Sequence, residues 1–249
     1  MKFDEPLLEG KFIKRYKRFF ADIEYNGEII TAHCPNTGSM KGLKEEGSPC
    51  RFSFIDDPKR KLKYTLQQIH VGDTWVGVNT GLPNHLVFEA FEKKLVKHWS
   101  PFNGGRKEVK INDKSRIDLV LWKDLPEIDN AKKWNVDFID KFKFHFIEVK
   151  NVTLAENGQA LFPDAVTTRG QKHLEELMAL IDRGHSCEIV FTIQRDDFES
   201  FSAAKDIDPE YAKLLKEAKK KGVIVTPLHI TQSDSEVIVN PKNKVPVRL

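Results

Sequence analysis

The sequence predicts a mixed α+β protein in two parts, a β-rich amino-terminal unit over residues 1–81 and an α/β unit over residues 82–249. Three observations predict it. Short alternating stretches, broken by Pro and Gly, fill the chain up to Gly81. A helical spacing of apolar residues then begins at Asn84. Beyond it, dense apolar strands alternate with amphipathic helices.

In the first part, Ala21 to Cys34 alternates polar and apolar residues around Asn26-Gly27. That dipeptide signals a hairpin, because a type I′ turn needs positive φ at both central positions. Strands are expected at Cys50–Ile55, Lys63–Gln67 and Thr74–Val78. Several short strands with close turn signals make a small barrel or sandwich. In the second part, Asn84 can cap a helix whose apolar side is Leu86, Phe88, Phe91, Leu95 and Trp99. Arg116–Leu121 and Phe144–Val149 are apolar strands, and Lys123–Asp140 between them reads as a solvated, charged excursion. Thr167 or Thr168 caps a helix from about Arg169 to Ile181, followed by a strand at Glu188–Gln194. Asp208-Pro209 starts a further helix that Gly222 ends. Val223–His229 and Val237–Asn240 read as the final strands.

Composition excludes more than it assigns. Of 249 residues, 40% are hydrophobic and 31% charged, as in an ordinary globular protein. No apolar run can span a bilayer and the start lacks a signal-peptide core, so no membrane is expected and the cytoplasm is the expected location. The net charge of +3 is too mild to name a partner. Cys34, Cys50 and Cys187 form no CxxC pair and read as small buried hydrophobes. Neither G-x-G-x-x-G nor G-x-x-x-x-G-K-[ST] occurs, which leaves a nucleotide-cofactor enzyme of sugar metabolism without support.

Two strands carry misplaced charge. By parity, Phe142, Phe144, Phe146, Glu148, Lys150 and Val152 share one face, with His145, Ile147 and Val149 on the other. A strand that is apolar on both faces is usually central, and a charge there must be paired, hydrogen-bonded or bound to metal. In the preceding strand Asp118 is a lone carboxylate, with Arg116 and Val120 on its face and Ile117, Leu119 and Leu121 on the other. If the strands are neighbours, Asp118 and Glu148 converge, and two carboxylates with carbonyl and water oxygens suit Mg²⁺ or Mn²⁺. Lys150 would then position or activate water and offset phosphate charge. The structural alternative is an ordinary Arg116–Asp118 or Glu148–Lys150 ion pair.

Asp118 followed by Glu148-Val149-Lys150 resembles the PD-(D/E)xK nuclease superfamily. The longer stretches Ser115–Asp118, Phe146–Leu154, Phe162–Val166 and Arg169–Leu174, with Arg15–Phe19 and His33–Gly38, resemble the sugar fermentation stimulation protein A family. The resemblance runs over essentially the whole chain. It implies an OB-fold β-barrel followed by an α/β PD-(D/E)xK nuclease-like domain. It also implies DNA binding without marked sequence preference, and an effect on sugar, particularly maltose, utilisation. The triad Asp118, Glu148 and Lys150 is intact, while the excursion Lys123–Asp140 is the main departure. The superfamily often adds an acid from a first helix, for which Glu89 is the candidate, and a polar residue from a later helix, for which Gln171 is the candidate. Lys172 and His173 read as solvent-facing, and Asp164 as a brace for its turn.

The expected partner is DNA, with RNA as the alternative. Lys11 to Phe20 interleaves five basic residues with four aromatics, as a nucleic-acid groove requires. Lys14, Arg15, Lys17 and Arg18 are candidate phosphate contacts, whereas Phe12, Phe19 and Phe20 read as core. Lys59, Arg60 and Lys61 form a second basic run. The turn Asn36–Met40 could present N–H groups to a phosphate or serve only as a turn. Two functions follow: a Mg²⁺- or Mn²⁺-dependent nuclease, or a non-catalytic DNA-binding regulator that keeps the nuclease fold as scaffold.

Overall fold

The computed structural model describes residues 1–111, 115–125, 134 and 136–249. The amino-terminal strands are β1 (Leu8–Tyr16), β2 (Phe20–Tyr25), β3 (Glu28–His33), β4 (Pro49–Phe54), β5 (Tyr64–Val71) and β6 (Thr74–Gly77). β1 pairs antiparallel with both β2 and β4, and β4 pairs with β5. A parallel contact of β3 with β5, through Ala32–Tyr64 and His33–Thr65, closes the ring into a five-stranded barrel. Closure removes the sheet edges that would invite aggregation. β6 continues from β5 outside the ring. The β2–β3 turn has Asn26 at φ 52° and Gly27 at φ 81°, as a type I′ hairpin demands. Phe12, Ile23, Phe52, Leu66 and Ile69 fill the barrel, and Cys34 and Cys50 are buried free thiols among them.

The rest of the chain is α1 (Pro83–Glu92), β7 (Gly104–Lys110), β8 (Arg116–Trp122), α2 (Val136–Lys141), β9 (His145–Val152), β10 (Leu154–Glu156), β11 (Gln159–Phe162), α3 (Thr168–Asp182), β12 (Ser186–Ile193), β13 (Ser200–Ala203), α4 (Pro209–Lys221), β14 (Ile224–Gln232) and β15 (Val237–Val239). The large sheet has the order β15-β14-β12-β9-β8-β7. β9 lies at its centre, antiparallel to β8 and parallel to β12. One face packs Phe146, Ile189 and Phe191 against α3 and α4 through Leu174, Leu177, Tyr211 and Leu215. The other packs Ile147, Val149 and Val190 against Leu86 and Val87 of α1. β10, β11 and β13 form a small separate sheet. Thr167 caps α3 by accepting from the Gly170 N–H, Asp208 caps α4, and Gly222 ends α4 at φ 108°.

Several sequence expectations change. Ile117 packs with Val120 and Val109 rather than with Leu119 and Leu121. The residue facing this stretch, Glu108, has φ 54°, which breaks the regular pleat beside Asp118. Phe19 is exposed, because Lys17 and Arg18 take positive φ and make a tight turn with Phe19 at its tip. Asn84 is not the helix cap; Leu82 occupies that position without a side-chain cap bond. Part of Lys123–Asp140 lies outside the described residues. Within the described part Trp134 and Ile139 are buried, so apolar residues anchor what the charges made look solvated. Among the described residues no helix is long and apolar enough to cross a membrane.

Candidate active site

β8 and β9 bring two acids together. Leu121 faces His145, Val120 faces Phe146 and Leu119 faces Ile147. Past the last rung, Asp118 Oδ2 accepts the Val149 N–H at 2.8 Å. The side chain thus takes over a buried strand donor. Asp118 Oδ1 accepts from Asn84 Nδ2 of α1 at 2.8 Å. Glu148 opens towards α3. Its Oε1 accepts from Lys150 Nζ at 2.6 Å and meets His173 Nδ1, which itself lies 3.0 Å from Lys150 Nζ. Glu148 Oε2 is buried and has no hydrogen-bond partner among the described residues.

The electrostatics differ between the two acids. Burial, and then the Glu148 charge, raise the Asp118 pKa to about 6 against the opposing Val149 N–H, Lys150 and Asn84. Burial would raise Glu148 too, but the Lys150 ammonium and His173 outweigh it and hold that carboxyl below its ordinary value. Both acids line a cleft of about 380 Å³ between the two units. Thr37 of the β3–β4 loop and Thr80 of the connection line the barrel side, while Arg116 and Arg169 add positive charge. Arg169 Nε reaches His173 Nε2 at 3.4 Å, and Arg116 pairs with Glu108 at 2.9 Å.

The donor set suits a hard cation, because both groups offer carboxylate oxygen and one buried oxygen lacks any partner. Among the described residues no group of three or more His, Cys, Asp or Glu could hold a metal ion. A divalent cation would therefore rest on Asp118 and Glu148 and complete its shell with main-chain, water or substrate oxygens, a habit of Mg²⁺.

A profile of the SfsA N-terminal OB domain matches residues 13–78. A profile of the sugar fermentation stimulation protein RE domain matches residues 81–236. The chain belongs to the sugar fermentation stimulation protein family. A homologue of that description from Bdellovibrio bacteriovorus is 53% identical over 237 residues, covering 91% of each chain. Another from Pelagibacter ubique is 42% identical over 246 residues, covering 98% of this chain and 99% of its own. The structure of Pyrococcus furiosus SfsA in complex with Ca²⁺ matches with a TM-score of 0.82 at 25% identity, over 100% of this chain and 98% of that one. The OB barrel followed by a mixed α/β domain is thus the fold of the sugar fermentation stimulation family.

Not every residue singled out from the sequence reaches the cleft. Asp118, Glu148 and Lys150 do. Gln171 does not: its Nε2 donates to Asp208 Oδ1 and Oδ2 at 2.9 and 3.2 Å, towards the start of α4. Glu89 pairs with the Met1 ammonium and with Lys93 instead. Among the helix residues that do arrive are Asn84, which resembled a cap, and His173, which resembled a solvated residue.

On the barrel, Arg15 is half-buried and donates to three carbonyls, those of Arg18, Asn36 and Gly38. It holds the cleft-side loop in place and is not a free phosphate contact. Lys17 and Arg18 are exposed, and Lys14 pairs with Asp22 at 3.7 Å. Lys59 and Lys61 are exposed, while Arg60 donates to Thr65 at 3.0 Å. Asp164 braces the units by accepting from Ser39 Oγ at 2.8 Å and from the Met40 N–H at 3.0 Å. Asn36 makes a side-chain turn, accepting the Gly38 N–H at 2.8 Å.

Proposed function

We propose that the protein is a divalent-metal-dependent phosphodiesterase acting on nucleic acid, DNA first and RNA as the alternative substrate. The observation that carries this reading is the pair Asp118 and Glu148 in one cleft, with a buried Glu148 oxygen that has no hydrogen-bond partner among the described residues. Asp118 and Glu148 would hold Mg²⁺ or Mn²⁺, and when bound the ion would supply Lewis-acid stabilisation of phosphoryl charge. Asn84 and the Val149 N–H fix the Asp118 carboxylate. Lys150 neutralises Glu148 and, from the same position, can orient an attacking water or meet a phosphate oxygen. His173 holds the Glu148–Lys150 pair from α3. Arg116 and Arg169 sit where a phosphodiester would need positive charge. Lys17 and Arg18 on the barrel, with Lys59 and Lys61, add backbone contacts that need no base sequence.

A second reading keeps the fold for binding alone, as a regulator of sugar, particularly maltose, use. The ion cluster of Glu148, Lys150 and His173 favours it, because one Glu148 oxygen is already satisfied within the chain. The relatives' name, sugar fermentation stimulation protein, points the same way. Labelled single- and double-stranded DNA and RNA, incubated with Mn²⁺ or with chelator, separate the two. Cutting that needs metal and is lost in Glu148→Ala and Lys150→Ala establishes the phosphodiesterase. Salt-sensitive binding with no cutting of any substrate would overturn it in favour of the regulator.

A further inference from the structure

Three cavities lie along the seam between the barrel and the α/β unit. The catalytic cleft shares Thr80 and Asn151 with a narrow neck of about 100 Å³. The neck in turn shares Leu161 with a wider hollow of about 570 Å³. Through these shared residues the three cavities adjoin in a row, a candidate groove. The β3–β4 loop supplies a barrel wall throughout: Thr37 at the cleft, Asn36 and Gly38 at the neck, Lys41 at the hollow.

The groove's chemistry changes along its length. The cleft holds the two acids with Arg116 and Arg169. The neck lining carries no basic side chain, and its one acid, Asp164, is engaged by Ser39 and Met40. Asn151, shared by cleft and neck, has a buried side-chain oxygen without a partner among the described residues. The hollow carries Lys205, Lys216 and Arg248. Among the described residues no carboxylate pairs with any of those three, whereas Lys41 is spent on Glu156 at 2.9 Å. Asp206 is the remaining side-chain acid there, so positive charge prevails.

We infer that this groove binds a single strand of nucleic acid, with the scissile phosphate in the cleft and further phosphates of the same strand at Lys205, Lys216 and Arg248. The inference rests on the phosphodiesterase reading and deepens it by naming an unpaired strand as substrate. The neck, about 100 Å³, is much smaller than the cavities on either side of it, which favours one strand over a duplex along this path. Cations on the far side of a neck that has none fit a ligand whose charge recurs along a chain, not a lone phosphate. Asn151 fits a sugar hydroxyl or a base amine passing through. The path also accounts for the brace at Asp164 and the bonds of Arg15 to the carbonyls of Asn36 and Gly38: both fix the loop that walls the groove.

The test measures binding in chelator, so that no cutting intervenes. Single-stranded oligonucleotides of increasing length are titrated at several salt concentrations. Wild type is compared with Lys205→Ala/Lys216→Ala/Arg248→Ala, three exposed positions, and with Arg116→Ala/Arg169→Ala at the cleft. On long strands the triple variant should lower the slope of log K against log salt by about 2, at roughly 0.7 per lost phosphate contact. On strands too short to leave the cleft it should match wild type. A triple variant that equals wild type at every length, while the cleft variant binds more weakly, overturns the groove and leaves the phosphodiesterase reading standing. Equal weakening at all lengths also overturns it, as charge without a path. Absence of salt-sensitive binding by wild type overturns both.

Discussion

Two glutamates on neighbouring strands are almost fully buried, and they could hardly be treated more differently. Glu148 on β9 stands at the cleft, with Lys150 and His173 on one oxygen and, among the described residues, no partner on the other. Glu188 on β12 lies one rung away in the register, on the opposite face of the sheet, with both oxygens occupied. Trp99 Nε1 donates to its Oε2 at 2.7 Å, His145 Nε2 lies 2.8 Å from the same oxygen, and His98 Nε2 lies 3.0 Å from Oε1. Phe102 stacks on His145 and closes the site. A buried charge is tolerated when every lone pair is used, and such a group is structural. A buried charge left with a free oxygen needs a reason outside the chain. The contrast separates a carboxylate that holds the fold from one that, under the proposed function, would hold a cation.

The comparison breaks if the two behave alike on mutation. Glu148→Gln should slow metal-dependent cutting by on the order of 10²–10³-fold, the range for removing one charge-stabilising group. Its thermal midpoint should fall less than that of Glu188→Ala, because the amide keeps an acceptor for Lys150. Glu188→Ala should do the reverse. Removing one member of a buried ion pair costs about 3 kcal/mol, which lowers the midpoint of a chain this size by roughly 6–12 °C. Its cutting rate per folded molecule should hold. Parallel melting curves and single-turnover rates decide the matter, and a destabilised Glu148→Gln with full activity would remove the basis for the site.

Acid sharpens the same contrast more gently. Burial opposes ionisation of Glu188, but the hydrogen bonds from His145 and His98 prevail and bring its pKa down to about 2, from an ordinary 4.5. A carboxyl depressed on folding stabilises the protein above its unfolded value and loses that contribution as pH falls through the folded one. Stability should therefore drop between about pH 4.5 and about 2, more steeply in wild type than in Glu188→Gln. His98 works in the other direction. The hydrogen bond to Glu188 raises its pKa, so its contribution is full below 6.5 and fades as pH rises through the raised value. Denaturant midpoints across pH for the two proteins check both limbs.

How much of this was legible follows from residue chemistry. Asp118, Glu148 and Lys150 stood out because charge interrupts apolar strands, and parity put them on definable faces. The hairpin at Asn26-Gly27 and the caps at Thr167 and Asp208 were legible because those turns admit few residue types. Asn84 was misread because a helix cap and a carboxylate-orienting amide use the same residue. Arg15 looked free because carbonyls of Asn36 and Gly38 leave no mark in sequence. β7 was missed because Gly104-Gly105-Arg106-Lys107 is glycine-rich and charged, as an edge strand paired only to β8 tolerates. Glu188 drew no notice at the start of its strand, and its partners His98, Trp99 and His145 lie far away in the chain.

The smallest effect tests the correction on α3. Gln171 and His173 are two residues apart, and at 3.6 residues per turn that places them about 200° around the helix. They cannot serve one site. His173 faces Glu148, while Gln171 faces Asp208, whose Oδ1 also accepts the Tyr211 N–H and whose Oδ2 accepts the Thr167 N–H, each at 2.9 Å. Asp208 therefore ties the first turn of α3 to the first turn of α4, and Gln171 reinforces that tie. Gln171→Ala should lose about 1 kcal/mol of stability and leave both cutting and the metal requirement unchanged. His173→Ala should spare stability more and slow cutting, because it loosens the Glu148–Lys150 pair. If Gln171→Ala slows cutting while His173→Ala does not, the helix has been assigned to the site by the wrong residue, and the role of α3 must be rebuilt from Asp208 outward.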